Sequence, residues 1–220
     1  MTNDINELTE RLTSREAGLE TWLRLPLMRL LAQGDPVEVA DLATAAGRPV
    51  EDVRKARAGV PDTEYDEDGR IIGQGLTLRP TPHHFEVDGK QLYTWCALDT
   101  LIIPALLGTA ARIESPCQAT GIPVLVHVDA AGGAKAWPAT AVVSLVNPED
   151  MGSVRSAFCN QVHFFASTEA AEPWLEGHPG GSVVPVDEAY RLGTSMAESL
   201  LDETLPEQPA QPVNGLHGCC

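Results

Sequence analysis

Near residue 80 the chain changes its hydrophobic rhythm, and that switch limits the possible folds more than any other feature. Before it, the stretch Glu20 to Gln33 sets Trp22, Leu23, Leu25, Leu27, Leu30 and Leu31 at helical spacing. It closes on Gly34-Asp35-Pro36, a helix stop followed by a new start. Val37 to Gly47 then runs into Pro49 to Ala56, which reads as helix, glycine turn, helix, and Asp66-Glu67-Asp68-Gly69-Arg70 ahead of Ile71-Ile72 reads as the tip of a hairpin wing. Past Thr81 strands and helices alternate. Strands are expected at Val124 to Val128, Thr140 to Val146, Val162 to Ala166 and Ser182 to Val186, and helices at Thr168 to Leu175 and Asp187 to Leu201. The expected class is α+β: a winged-helix-like helical domain over residues 1–80, then a mixed β-sheet domain with flanking helices over 81–205. A Pro-rich flexible tail ending in Cys219-Cys220 is expected over 206–220.

Helix-turn-helix spacing raises the question of DNA, and charge argues against it. The chain holds 31 acidic against 15 basic residues, a formal charge of −16, which repels a phosphate backbone. The second helix offers Arg48, Arg54, Lys55 and Arg57 but also Glu51 and Asp52, and the wing tip is acidic. A scaffold role using the same packing is therefore preferred, and no nucleic-acid partner is expected. An apolar run of roughly 18 residues, the length that spans a bilayer, is missing, and Met1 to Glu10 lacks the basic and apolar regions of a signal peptide. A cytosolic protein without a membrane partner is the expectation. Gly132-Gly133 and Gly180-Gly181 lack the spacing of a phosphate loop and read as turns.

Five cysteines, at 96, 117, 159, 219 and 220, form neither a disulfide framework nor a zinc ribbon. In a reducing compartment they are free, buried, catalytic or metal-binding. Thr94 is a plausible N-cap for a helix through Leu98, Leu101 and Ile102, which would put Cys96 in the first turn with Asp99 one turn on. There the helix dipole would lower the thiol below its free pKa of about 8.5. The bland alternative is a small core residue, and spacing alone does not separate the two. Cys159, between Phe158 and the run Val162 to Phe165, reads on its own as packing; Cys117 has no acid or base nearby and reads as structural. His83-His84 has no Cys, Asp or Glu at ligand spacing and reads as a surface pair. Trp95 and Phe158, each just before a cysteine of interest, are candidates for the walls of an apolar substrate pocket or ordinary core aromatics.

Two segments together carry a resemblance. Tyr93-Thr94-Trp95-Cys96-Ala97-Leu98-Asp99-Thr100-Leu101 and Ser156-Ala157-Phe158-Cys159-Asn160-Gln161-Val162-His163-Phe164-Phe165 resemble the organomercurial lyases (alkylmercury lyases) of bacterial mercury-resistance systems, and the likeness covers nearly the whole chain. By motif, the resemblance implies that Cys96 and Cys159 are the two catalytic cysteines, Asp99 the catalytic acid and Cys117 a structural cysteine. It further implies protonolysis of carbon–mercury bonds in organomercury compounds, with product mercury(II) held by Cys96 and Cys159 beside Asp99. No organic cofactor is implied, mercury being substrate and product. Cytosolic small thiols, or mercuric reductase, are the implied mercury acceptors, and Cys219 and Cys220 are candidates for a product relay. Asn160 stands where some relatives have a further cysteine, and the tail is longer than the common pattern.

Two other readings compete. A thiol-based metal-responsive transcription regulator would explain the helical half but leaves Asp99 idle and conflicts with the acidic charge. A thiol-disulfide oxidoreductase would need a C-x-x-C motif that the chain lacks.

Overall fold

Leu23, Leu27 and Leu31 recur every four residues on helix α1 (Thr21–Leu31) and are essentially free of solvent contact. This stripe shares one core with Leu42 of α2 (Val39–Ala46), which packs against it, and with Val53 of α3 (Val50–Arg57), both equally buried. The α2–α3 turn depends on Gly47, whose φ of 63° lets the chain reverse at a helix end where a β-carbon would be strained. The computed structural model describes residues 8, 11–12, 19–150 and 152–202, so the expected tail with Cys219 and Cys220 lies outside the described residues.

Three of the four basic side chains around α3 have partners within the chain. Arg57 is buried and its guanidinium donates to the Tyr65 hydroxyl at 2.6 Å, Arg54 pairs with Glu51, and Arg48 lies over the Trp22 ring. The expected wing is present as a hairpin of β1 (Glu64–Tyr65) and β2 (Ile71–Gln74). Its tip is folded by Asp66, which accepts hydrogen bonds from the backbone N–H groups of Asp68 and Arg70.

That hairpin is also the start of the main sheet. With β3 (Leu76–Thr77), β4 (His83–Val87), β5 (Lys90–Thr94), β6 (Ala111–Pro116), β7 (Pro123–Val128) and β8 (Ala134–Trp137) it forms eight strands in the order β1-β2-β3-β5-β4-β6-β7-β8. A second sheet has the order β10-β9-β11, from β9 (Val142–Leu145), β10 (Phe164–Phe165) and β11 (Ser182–Pro185). Every strand pair among the described residues is antiparallel, where a mixed sheet was expected. The reason is connectivity: most neighbours are joined by short turns, which reverse direction, and not by the helical crossovers that parallel pairing requires.

Strand alternation sorts the large sheet into two faces. Ala111, Ile113 and Ser115 of β6 and Val124, Val126 and Val128 of β7 face the core, while their neighbours face out. The same alternation corrects the surface reading of His83. On β4 His84 points out, but His83 is buried with its Nδ1 at 3.0 Å from the Ser115 hydroxyl, and burial aided by nearby His163 lowers its pKa to about 4.

Helix α4 (Asp99–Leu107) lies against the long helix α7 (Val186–Asp202). Gly193 permits the approach, since a β-carbon there would sit 3.1–3.3 Å from Ile102 and the Leu101 backbone. The short helix α5 (Val154–Ala157) and α6 (Thr168–Gly177) flank β10. No helix among the described residues is long and apolar enough to cross a membrane.

Candidate active site

Strand β5 delivers the first half of the site. Thr94 is its last residue, and the helix begins only at Asp99, so the expected N-cap role of Thr94 is not realised. The Thr94 hydroxyl donates instead to the Cys96 carbonyl at 2.9 Å. Cys96 thus lies in the turn before the helix, and its sulfur accepts a 3.4 Å hydrogen bond from the Asp99 backbone N–H. The three-residue spacing read from the sequence survives, with a turn in place of a helical face.

The second half arrives from 60 residues away in sequence. After α5 a single 3₁₀ turn, Cys159–Gln161, presents Cys159, and the Val162 carbonyl just beyond it accepts from the Ala97 N–H at 3.2 Å. This cross-link ties the two halves together. The Cys96 thiol donates to Asp99 Oδ2 at 3.2 Å and the Cys159 thiol approaches the same oxygen at 3.9 Å. One candidate ligand atom from each residue lies within 4.8 Å of the others, the one such cluster of Cys, His, Asp and Glu side chains among the described residues.

Burial sets the protonation of the cluster. Cys96 is 1% exposed and its thiol is pushed well above the ordinary value, first by burial and then by the neighbouring sulfur and the Asp99 charge. The expectation of a dipole-lowered Cys96 therefore fails: the helix starts too late to act on the sulfur, and loss of water dominates. For Cys159 the hydrogen bond from Cys96 draws the pKa down, but burial and Asp99 outweigh it and the thiol is raised. Burial raises the Asp99 carboxyl to about 6 against the opposing pull of hydrogen bonds from both thiols. These shifts favour the thiol form of both cysteines and leave Asp99 the most acidic group of the three.

Two of the three, Asp99 and Cys159, line a largely apolar cavity of about 110 Å³. Trp95 and Phe158 both line it too, as expected. Sequence reasoning missed several other walls: Arg24 and Met28 from α1, Gln74 and Gly75 at the end of β2, and Met196 from α7. Only Gly75 left a local signal. It holds φ at 78°, and its α-carbon faces Asp99, whose Oδ1 would lie 3.6 Å from a β-carbon there. Cys117 is buried outside the cluster, in the turn after β6; burial raises its pKa, but hydrogen bonds from Thr120 and from the backbone of Ala166 and Ala119 prevail and lower it.

The family models and curated relatives that this chain matches carry the name alkylmercury lyase. Residues 76–198 match the alkylmercury lyase family model, and residues 5–75 match that of the helix-turn-helix domain of alkylmercury lyase. The chain is 52% identical to the alkylmercury lyase of Streptomyces lividans over 225 positions, covering 100% of both chains. With that of Bacillus cereus it shares 49% over 225 positions, 100% of this chain and 99% of the other. Among solved structures, the mercury-bound form of MerB2 superposes with a TM-score of 0.71 at 25% identity, covering 90% of this chain and 99% of its own. Two thiols converging on a half-buried carboxylate fit a site for mercury, and with near-50% identity over its full length the chain belongs to the alkylmercury lyase family.

Proposed function

We propose that this protein cleaves the carbon–mercury bond of organomercury compounds by protonolysis, with Cys96 and Cys159 as the thiolates that take mercury and Asp99 as the group that moves the proton. The observation that carries this reading is the single oxygen, Asp99 Oδ2, that both thiols face. Sulfur is the soft donor among side chains and suits a soft metal. Each thiolate bound to mercury pushes electron density onto the attached carbon and makes it easier to protonate.

The proton inventory closes. Starting from R–Hg–X and two thiols, one thiol proton leaves with the displaced ligand as HX. The other passes to Asp99 and from there to carbon, giving RH and mercury held by two sulfurs. An aspartate with its free pKa near 3.9 would be a weak base toward a thiol and would rarely hold a proton at neutral pH. Raised to about 6, Asp99 is better matched to both tasks. Trp95 and Phe158 wall the organic group, and the mechanism requires no organic cofactor.

Incubation with phenylmercury tests the reading: the unmutated protein should release benzene. Asp99→Asn keeps the shape but has no acid proton, so phenylmercury should still bind while cleavage slows by about a hundredfold or more. Benzene release at the unmutated rate would remove Asp99 from the proton path.

Product mercury is passed on, in this reading, to cytosolic small thiols or to mercuric reductase as acceptor, in the cytoplasm. Cys219 and Cys220 act as a relay, since a tethered thiol pair reaches an effective concentration in the millimolar range. Truncation after Leu205 should then leave single-turnover cleavage intact and slow steady-state turnover when small thiols are scarce. Unchanged turnover under those conditions would exclude the relay.

A further inference from the structure

Cys159 sits on a segment with little regular structure of its own: α5 has four residues and the turn that follows has three. What fixes its leading end is a set of contacts to the other half of the chain. Asp62 accepts at Oδ1 from the Ser153 hydroxyl (2.9 Å) and at Oδ2 from the Arg155 backbone N–H (3.1 Å). Asp62 holds φ at 67°, a left-handed conformation that non-glycine residues rarely adopt and that Asp and Asn tolerate better than most. The Arg155 guanidinium forms an ion pair with Glu64, and its Cζ lies 4.8 Å from the centre of the Trp95 ring. Glu64 is buried and held in turn by the Thr77 hydroxyl, and a β-carbon at Gly73 would collide with its carboxylate.

These contacts share a geometry. Trp95 adjoins Cys96, and Arg155 lies one turn of chain before Cys159, so one planar cation touches both arms of the site. We propose that Arg155 is a positioning residue: by clasping the Cys159 segment to Glu64 and to the Trp95 face, it sets the gap across which the two sulfurs meet mercury. The proposal rests on the lyase reading above. It assigns a role to a side chain outside the reacting trio. A planar guanidinium suits it because the group must pair with a carboxylate along its edge and stack on a ring through its face, which an ammonium cannot do together.

The test uses the full chain, four variants assayed with phenylmercury, and a Trp95→Phe background for the emission comparison. Arg155→Met removes the clasp but leaves Glu64 buried without its partner, so Arg155→Met/Glu64→Gln removes that liability as well. Arg155→Lys restores the charge, and Arg191→Met, which breaks the exposed Arg191–Asp187 pair, is the control. Both Met variants should keep KM within about threefold while kcat falls by about tenfold to a hundredfold, the scale of loss when reacting groups are misplaced by an ångström or less. Arg155→Lys should recover part of that loss and Arg191→Met should match the unmutated protein. Arg155→Met should also shift tryptophan emission, and the shift should vanish when the comparison is repeated in a Trp95→Phe background. Full kcat in both Met variants, a shift that persists without Trp95, or loss of cooperative unfolding in all Arg155 variants would overturn the proposal. If the unmutated protein releases no benzene, the lyase reading fails by itself, and the emission comparison still decides whether the clasp exists.

Discussion

Asp99 is asked to do work that its folded environment resists. Its pKa is raised from 3.8 to about 6, so the ionised form is less welcome in the folded state than in the unfolded chain. The sign follows: the favourable contribution of the neutral acid is complete below about pH 4 and is lost as pH rises through about 6. Asp99→Asn should therefore stabilise the protein at pH 7.5 by on the order of 2–3 kcal/mol, a gain that disappears between pH 6 and 4. Thermal unfolding of the two proteins across that range measures it; an equal gap at pH 7.5 and pH 4 would mean that the carboxylate is not the source. At this scale much was legible. Cys96 and Asp99 are readable together because three residues separate them, whereas spacing says nothing of Cys159, which only the family resemblance placed beside them and which reaches the same oxygen from a turn 60 residues away. The direction of the Cys96 shift was misjudged because local spacing shows a helix end but not the loss of water around it.

Elements tell a similar story. The helices of the first half and the strands near Val124, Thr140 and Ser182 stand close to where periodicity put them. The β4–β5 hairpin was missed, although Asp88-Gly89 between the strands is a turn pair suited to it, and both residues adopt positive φ, 49° and 74°. Strands of two residues, such as β3 and β10, are too short to carry any period and are defined by their neighbours. The α4–α7 contact was also invisible, because Gly193 inside a helix reads as a weakness until its partner is seen. Gly193→Leu should push α7 away from Ile102 and destabilise the fold by about 1–3 kcal/mol, the usual scale of overpacking. Denaturant unfolding would register the loss, and a stability equal to the unmutated protein would mean that the helices are not in close contact there.

For the whole molecule, the helical half and the sheet half are built as one. β3 contributes Leu76 and Thr77 to pair with Thr94 and Tyr93, the strand that leads into Cys96, and α1 lends Arg24 and Met28 to the cavity wall. A fragment beginning at residue 81 would strip β5 of that partner and open the cavity on one side. Expressed alone it should bind a hydrophobic dye and show poorly dispersed amide resonances; a well-dispersed, dye-free fragment would show that the sheet half stands by itself. Asp99 is thus sheltered by residues from both halves of the chain. The two halves consequently have to be inherited together: a recombination breakpoint between β2 and β5 joins a wing from one parent to a thiol from another, and only parents whose Asp62, Glu64, Trp95 and Arg155 agree would yield a working offspring.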